Sequence, residues 1–343
     1  MINFFKPNIT SEDIEAVTDV LKSGWLTSGK ITEEFEKEFA EYVGAPYAVA
    51  TNSCSNGLFL SVQYHLAHGS CPTKLVAVPS FTCTATATAL IHSGLHPMFQ
   101  DINPETFAML PTKLPSIPVH YAGKYNKQEH VLVEDSAHRL MPNSFTGNLT
   151  SYSFYVTKNI TSGEGGMIAC GTKEESEWLK AARLYGIQDQ IWRREKKKSW
   201  DFSVDFVGWK CNPIDLTMAL GKSQLKRVDI LSSERNRVAD RYDELLGEKH
   251  EWESNHLYPI VLNKRDEFIE EMKAKEIQVS VHFPPLHLQP AYKDYKVSLP
   301  NTEWVWDHIV SLPIYPYMDD KDILTVANEV NKWRGKYGYA KKD

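Results

Sequence analysis

SFYVTKNITSGEGG, Ser153–Gly166, is the stretch on which the fold turns: a strand-like run ends and a lysine, Lys158, is held in a loop of Asn, Thr, Ser and Gly. Backbone on both sides would fix it. Taken alone, such a lysine is most often a solvated surface residue. Three companions alter that reading. VEDSAH, Val133–His138, puts Asp135 just after an apolar run, at the carboxyl end of a strand, where open parallel sheets collect ligands. A buried carboxylate at that point requires a cationic partner. NSCSNG, Asn52–Gly57, precedes Leu58, Leu60 and Val62 and could open a helix whose free N–H groups receive a phosphate; by itself it is only a good N-cap. KCNPIDLTMALGKSQL, Lys210–Leu225, could begin another helix at Asn212 and Pro213.

Outward from these motifs, short apolar runs recur at Tyr47–Ala50, Leu75–Val78, Pro97–Ile102, Ile117–Tyr121, Val131–Val133, Ser151–Val156 and Gly166–Cys170. Runs of this length without strict alternation suit a buried, largely parallel sheet. Thr10–Asp13 resembles a capping box before Ile14, Val17 and Leu21, and a second amphipathic segment carries Phe35, Phe39 and Tyr42. From about Leu225 the texture changes to a long charged helix, Asp229–Leu246. Another alternation follows: Tyr258–Leu262, a helix over Asp266–Lys275, then Gln278–Phe283. A last helix carries Ile323, Val326 and Val330, so a second, smaller α/β unit is expected over 227–343, after a large one over 1–226.

The 343 residues leave ample material for a large core. Lys and Arg number 38 against 44 Asp and Glu, a net charge of −6 that gives no field for wrapping nucleic acid or anionic lipid. The longest weakly polar run, Leu75–Ile91, holds Pro79 and four threonines and reads as core, not as a membrane span. MINFFKPNIT lacks the charged and apolar regions of a secretory signal, so a cytoplasmic protein is expected. The five cysteines, Cys54, Cys71, Cys83, Cys170 and Cys211, are widely spaced and read as reduced thiols. His92 and His96 stand at i, i+4 without an acidic third ligand, so no metal is expected.

A lysine able to form a Schiff base, an aspartate able to pair with a pyridinium nitrogen and a helix N-terminus for a phosphate are the parts that pyridoxal 5′-phosphate requires. The chain resembles the DegT/DnrJ/EryC1/StrS family of pyridoxal-phosphate-dependent sugar aminotransferases. Nine blocks carry the resemblance in order: Gly24–Ala45, Pro79–Ala87, Pro118–Gly123, Val133–His138, Ser153–Met167, Arg183–Gly186, Lys210–Leu225, His282–Tyr292 and Ser311–Pro316. The resemblance implies a fold type I, aspartate aminotransferase-like α/β architecture. In it a mainly parallel seven-stranded sheet is flanked by helices and followed by the smaller C-terminal domain.

Residue by residue, the resemblance implies that Lys158 carries the cofactor covalently and later moves the substrate proton, while Asp135 pairs with the ring nitrogen. His138 is implied in cofactor contact; Ser55, Asn56 and Ser153 in the phosphate site; and Asn212 in reaching the cofactor phosphate of a second subunit, hence a homodimer with shared active sites. Trp25, Leu26 and Thr27 match a loop near the active site, and His282 and His287 a block near the substrate, with packing as the alternative for the two histidines. The chain departs from the pattern at Cys54 and Gly57 and at Cys83, where many relatives have an aromatic residue over the ring; Phe81 is a candidate to compensate. The stretch from Phe107 to Val131 is short for the family: either a crossover is abbreviated or the strand count is off by one. The basic run Arg193–Lys198 is either a solvated loop or an attractor for a diphosphate.

The implied reaction moves an amino group from glutamate through pyridoxamine phosphate to a nucleotide-linked ketosugar, with C-4 of a 4-keto-6-deoxyhexose favoured over C-3. Lys158 disfavours the dehydratase branch, in which a histidine replaces it. A noncatalytic regulatory or assembly relative is disfavoured by Lys158, Asp135, Ser153 and Asn212 occurring together. Elimination on an amino acid is disfavoured by the blocks around Trp25 and His287.

Overall fold

The first helix begins at its capping signal: the Asp13 carboxylate accepts from the Thr10 N–H at 3.0 Å, and α1 (Ser11–Ser23) ends at Gly24 in the left-handed region. The computed structural model describes residues 1–188, 201–250 and 252–342. Asp13, paired with Arg227 at 2.6 Å, takes the inward position of α1. Val20 is buried with it, whereas Ile14 and Leu21 are 61% and 55% exposed.

Helix α2 (Lys30–Val43) buries Phe35 and Phe39, but its N-cap, Gly29, offers no side-chain acceptor. The acceptor comes from far along the chain. Asp215, the first residue of α6 (Asp215–Leu225), takes the N–H groups of Gly29 at 2.8 Å, Ile31 at 3.2 Å and Thr32 at 3.0 Å, and the Thr32 hydroxyl at 2.6 Å. A carboxylate there satisfies orphan donors and opposes the helix dipole.

Six strands form the body of the main sheet: β1 (Tyr47–Thr51), β2 (Leu75–Pro79), β3 (His96–Gln100), β4 (Glu134–Asp135), β5 (Thr150–Ser153) and β6 (Gly166–Cys170). β3 pairs with β2 and β4 with β5 in parallel, while β6 runs antiparallel to both β5 and β1. The expected strand Ile117–Tyr121 is not regular. Pro115 and Pro118 lack N–H donors, so residues 116–119 are stitched to β2 and β4 by isolated parallel bridges, Ser116 to Ala77 and Val131, and Val119 to Asp135. With that segment the sheet has seven lines of chain, mainly parallel, as expected. Regular pairing at Val131–Val133 is likewise displaced to Glu134–Asp135. The passage from 119 to 131 holds only the 3-10 turn Tyr121–Gly123, so the crossover is abbreviated.

Helices α3 (Cys54–Ala67) and α4 (Thr84–His92) follow β1 and β2 directly, and α5 (Lys173–Ala182) follows β6. The buried Arg183 guanidinium just after α5 pairs with Glu36 of α2, which also takes the Ala50 N–H of β1 at 3.0 Å. The second unit contains α7 (Val228–Leu246), β7 (Tyr258–Val261), α8 (Arg265–Ala274), α9 (Pro300–His308), β8 (Ile309–Leu312) and α10 (Asp320–Tyr337), with β7 and β8 antiparallel. The run Gln278–Phe283 makes no regular strand, only a bridge from Ser280 to Ser311. Helix α7 serves both cores: Val228 and Leu231 pack with Phe35, Tyr152 and Met218, and Val238 and Tyr242 pack with Ile260, Val310 and Val326. Ile2 belongs to the second core, bonded to Glu276 and Gln278 at 2.8 and 2.9 Å. Among the described residues no helix is long and apolar enough to cross a membrane.

Replacing Asp215 by Ala strands three N–H groups at the start of α2. We expect a loss of about 2–3 kcal/mol of stability, read as a lower urea midpoint; an unchanged midpoint would contradict the capping role.

Candidate active site

The carboxyl ends of the parallel strands and the neighbouring turns deliver the candidate residues to one edge of the sheet. β1 feeds α3 through Ser53, whose side chain accepts from the Asn56 N–H at 3.2 Å. The N–H groups of Cys54 and Ser55 belong to the first turn and have no acceptor within the helix. Gly166, at the start of β6, lies flat against that turn: a Cβ there would stand 2.5 Å from the Cys54 nitrogen and 2.6 Å from the Ser53 carbonyl carbon. Ser55 is exposed at this helix end, and the Asn56 side chain donates to Asn52 at 2.7 Å. Ser153 closes β5, its hydroxyl accepting from the Tyr155 N–H at 3.3 Å.

Asp135 ends β4 and is 4% exposed. It accepts from the Thr86 hydroxyl at 2.8 Å and from the Ala137 N–H at 3.1 Å. Burial pushes its pKa up despite those bonds and despite the nearby Lys158 and His120. It is a buried carboxylate short of counter-charge.

Burial also dominates Lys158, bringing its pKa from 10.5 down to about 8; the Arg235 guanidinium acts in the same direction, while Cys54, Asp135 and Cys83 oppose it. The Lys158 amine lies 3.4 Å from Nε2 of His256. His256 and His138 are both buried, their rings 4.4 Å apart, and burial followed by the charge on Lys158 holds both well below the ordinary histidine range. They are neutral at pH 7. Nδ1 of His138 accepts from the Ala122 N–H at 3.2 Å, which leaves the ring proton on Nε2. The turn that supplies this donor lies against Ser254 because Gly123, at φ 108°, has no side chain; a Cβ there would overlap the Ser254 carbonyl oxygen.

Arg235 of α7 is 2% exposed and, among the described residues, meets no carboxylate. Its guanidinium donates to the carbonyls of Ile314 at 3.1 Å, His256 at 3.3 Å and Thr157, next to Lys158, at 3.4 Å.

The remaining candidates fall in several places. His282 is near Lys158, its pKa lowered to about 4 by burial and then by that charge; its Nδ1 is 3.1 Å from the Ser311 hydroxyl. His287 is engaged on both ring nitrogens, by Ser80 at 2.7 Å and Glu303 at 3.2 Å, a packing arrangement. Trp25 donates to the Ser28 carbonyl at 3.3 Å and covers Gly29, and the Thr27 carbonyl accepts from the Asp215 N–H at 3.3 Å. Asn212 donates to Ser28 at 2.8 Å, while its Oδ1 is buried without a partner among the described residues. Phe81 is buried beside Tyr121, ring centroids 5.0 Å apart, so it belongs to the core. All five cysteines are free, and among the described residues no three His, Cys, Asp or Glu side chains are grouped to hold a metal. The run Arg193–Lys198 lies outside the described residues.

These residues fit the cofactor that the motifs imply: a buried amine, a buried carboxylate short of one positive charge, and a helix N-terminus with free N–H groups beside Ser153. Arg235 and His256 were not marked by any local motif, and Thr86 falls inside the Pro79–Ala87 block without having been given a role. His256 precedes an ordinary apolar strand, and only the folded chain brings it to Lys158.

The fold and this edge define a fold type I transferase. The chain belongs to the DegT/DnrJ/EryC1/StrS aminotransferase family, whose model matches residues 7–331. It is 37% identical to the Uncharacterized protein MJ1066 of Methanocaldococcus jannaschii, over 96% of each chain. It is 34% identical to the Spore coat polysaccharide biosynthesis protein SpsC of Bacillus subtilis, over 94% of this chain and 95% of that one. Its structure resembles the PMP-form of the putative sugar aminotransferase Spr1654 from Streptococcus pneumoniae, with a TM-score of 0.87 and 27% identity over 98% of this chain and 100% of that one.

Only the neutral amine reacts with an electrophile, so reactivity rises with pH through the pKa of the folded state. For Lys158 in the cofactor-free protein, the acetylation rate is expected to reach half its plateau near pH 8. Peptide mass spectrometry reads it; a midpoint near the unperturbed 10.5 would show that burial does not govern this amine.

Proposed function

We propose that this chain transfers an amino group from glutamate to the carbonyl carbon of a nucleotide-linked ketosugar, at C-4 of a 4-keto-6-deoxyhexose. The chain is a pyridoxal-phosphate-dependent sugar aminotransferase, and the observation that carries the reading is the Lys158 amine, buried beside Asp135 with a pKa near 8. The relatives support a sugar aminotransferase: one is a spore coat polysaccharide biosynthesis protein and another a putative sugar aminotransferase.

Bound here, the cofactor supplies an aldehyde to carry the amino group and a ring to hold an electron pair. The chain does the rest. Asp135 keeps a proton on the ring nitrogen, since a buried carboxylate favours a cationic partner. The N–H groups of Cys54 and Ser55, with Ser153 and Asn56, receive the phosphate. Lys158, able to be neutral or charged near pH 8, takes a proton from the substrate carbon and returns it. His138 packs beside the ring, and His282 with the Trp25–Thr27 loop lines the sugar side.

We also propose a homodimer in which Asn212 serves the partner's phosphate. The exposed Ile14 and Leu21 of α1 support the dimer. The large cofactor unit over 1–226, the smaller unit over 227–343 and a cytoplasmic location complete the proposal.

Purified protein with pyridoxal phosphate is expected to absorb at roughly 410–430 nm and to shift to near 330 nm with glutamate. A panel of UDP-, dTDP- and GDP-linked ketosugars, read by mass spectrometry, then identifies the acceptor and the aminated carbon. Lys158→Ala should lose at least roughly 100-fold to 10,000-fold in turnover. Retained turnover in that variant, or no cofactor uptake by the native chain, would overturn the reading.

A further inference from the structure

We propose that His256 is a positioning residue for Lys158: its Nε2 accepts a hydrogen bond from the Lys158 amine and thereby sets where that amine points and how readily it holds a proton. The proposal rests on Lys158 being the reacting amine. The geometry begins with the 3.4 Å separation between the two nitrogens. His256 is 4% exposed and cannot exchange this contact for water. It sits on a braced backbone: its N–H donates to Ser254 at 2.7 Å and to Ala122 at 3.3 Å, and its carbonyl accepts from Arg235 at 3.3 Å. Arg235 also holds the Thr157 carbonyl, so one guanidinium ties together the backbones that carry both members of the pair.

The protonation states follow from the surroundings. An imidazolium at His256 would be buried against the Lys158 charge, with His138, His282 and Arg235 also unfavourable to it. The neutral ring therefore offers a lone pair at Nε2 and carries its proton on Nδ1, the nitrogen that has no partner among the described residues. From the other sides, the amine is faced by Asp135 of β4, Cys54 of α3, Cys83 before α4 and Arg235 of α7. Asp135 favours the charged amine and Arg235 disfavours it, while burial keeps the Cys54 thiol protonated and uncharged. Neither Asp135 nor Arg235 is a neutral acceptor, which is what His256 adds: it stabilises the ammonium without placing a competing charge beside the carboxylate that the cofactor ring needs.

The test measures proton affinity of Lys158 in the cofactor-free, full-length protein by competitive acetylation with peptide mass spectrometry. His256→Phe removes the acceptor and should lower the pKa of Lys158 by about one unit, a roughly tenfold change in acidity. His256→Gln places an amide oxygen where Nε2 stood and should return the value to within about 0.3 unit of native, whereas His256→Asn, too short to reach, should match the Phe variant. The Asn variant decides the matter if the Phe variant does not fold. An unchanged pKa in the Phe and Asn variants would overturn the proposal, as would an equal shift in all three. Because acetylation is independent of turnover, those results refute the role of His256 alone, whereas failure of the native chain to take up cofactor refutes the function itself.

Discussion

A lysine amine held away from water is the constraint on which the rest of the site depends. Burial disfavours its charge, and the surroundings are arranged so that the charge is neither abolished nor fully compensated. Asp135 is near enough to favour the ammonium yet is itself raised by burial. Two buried histidines beside Lys158 stay neutral because burial strips a charged ring of water, and the Lys158 charge adds to that cost. The balance leaves the amine titrating near 8, where one group can both accept and release a proton.

The sheet makes this balance available by geometry. Parallel strands deliver their carboxyl ends to one edge, and direct strand-to-helix turns at Ser53 and Cys83 bring helix N-termini to the same edge. The antiparallel β6 starts from that edge, so Gly166 can lie against the first turn of α3. Support from behind is polar and long-range. Asp215 caps α2 across 183 residues or more of chain, and Arg183 with Glu36 joins α2, β1 and the end of α5. These contacts fix the elements without occupying the edge where chemistry takes place.

Much of this was legible in the sequence where the signal was local. Lys158, Asp135 and the Asn52–Gly57 turn announced themselves because each is a change of texture at a strand end, and the apolar runs located most strands. Elements defined by pairing were harder. The segment 116–119 reads as a strand from its apolar residues, but the absent N–H groups of two prolines reduce it to isolated bridges. Helix α1 shows helical spacing, but a charged residue, Asp13, occupies its inner face because a distant arginine and glutamine await it. For His287 the sequence left two readings, a block near the substrate or packing, and the partners that engage both its ring nitrogens lie elsewhere in the chain. His256 was invisible for the same reason, since its importance lies in a neighbour 98 residues away.

Arg235 carries a mechanical consequence. It lies on α7 between Leu231, which packs in the first core, and Val238, which packs in the second, and its charge is solvated by carbonyl dipoles from both sides of that seam. A rigid-body swing that pulled the seam apart here would strand a buried guanidinium, at a cost of several kcal/mol. A swing that pivots on this point leaves its carbonyl shell intact. Arg235 therefore ties the two units together beside the lysine, through the carbonyls of Thr157 and Ile314.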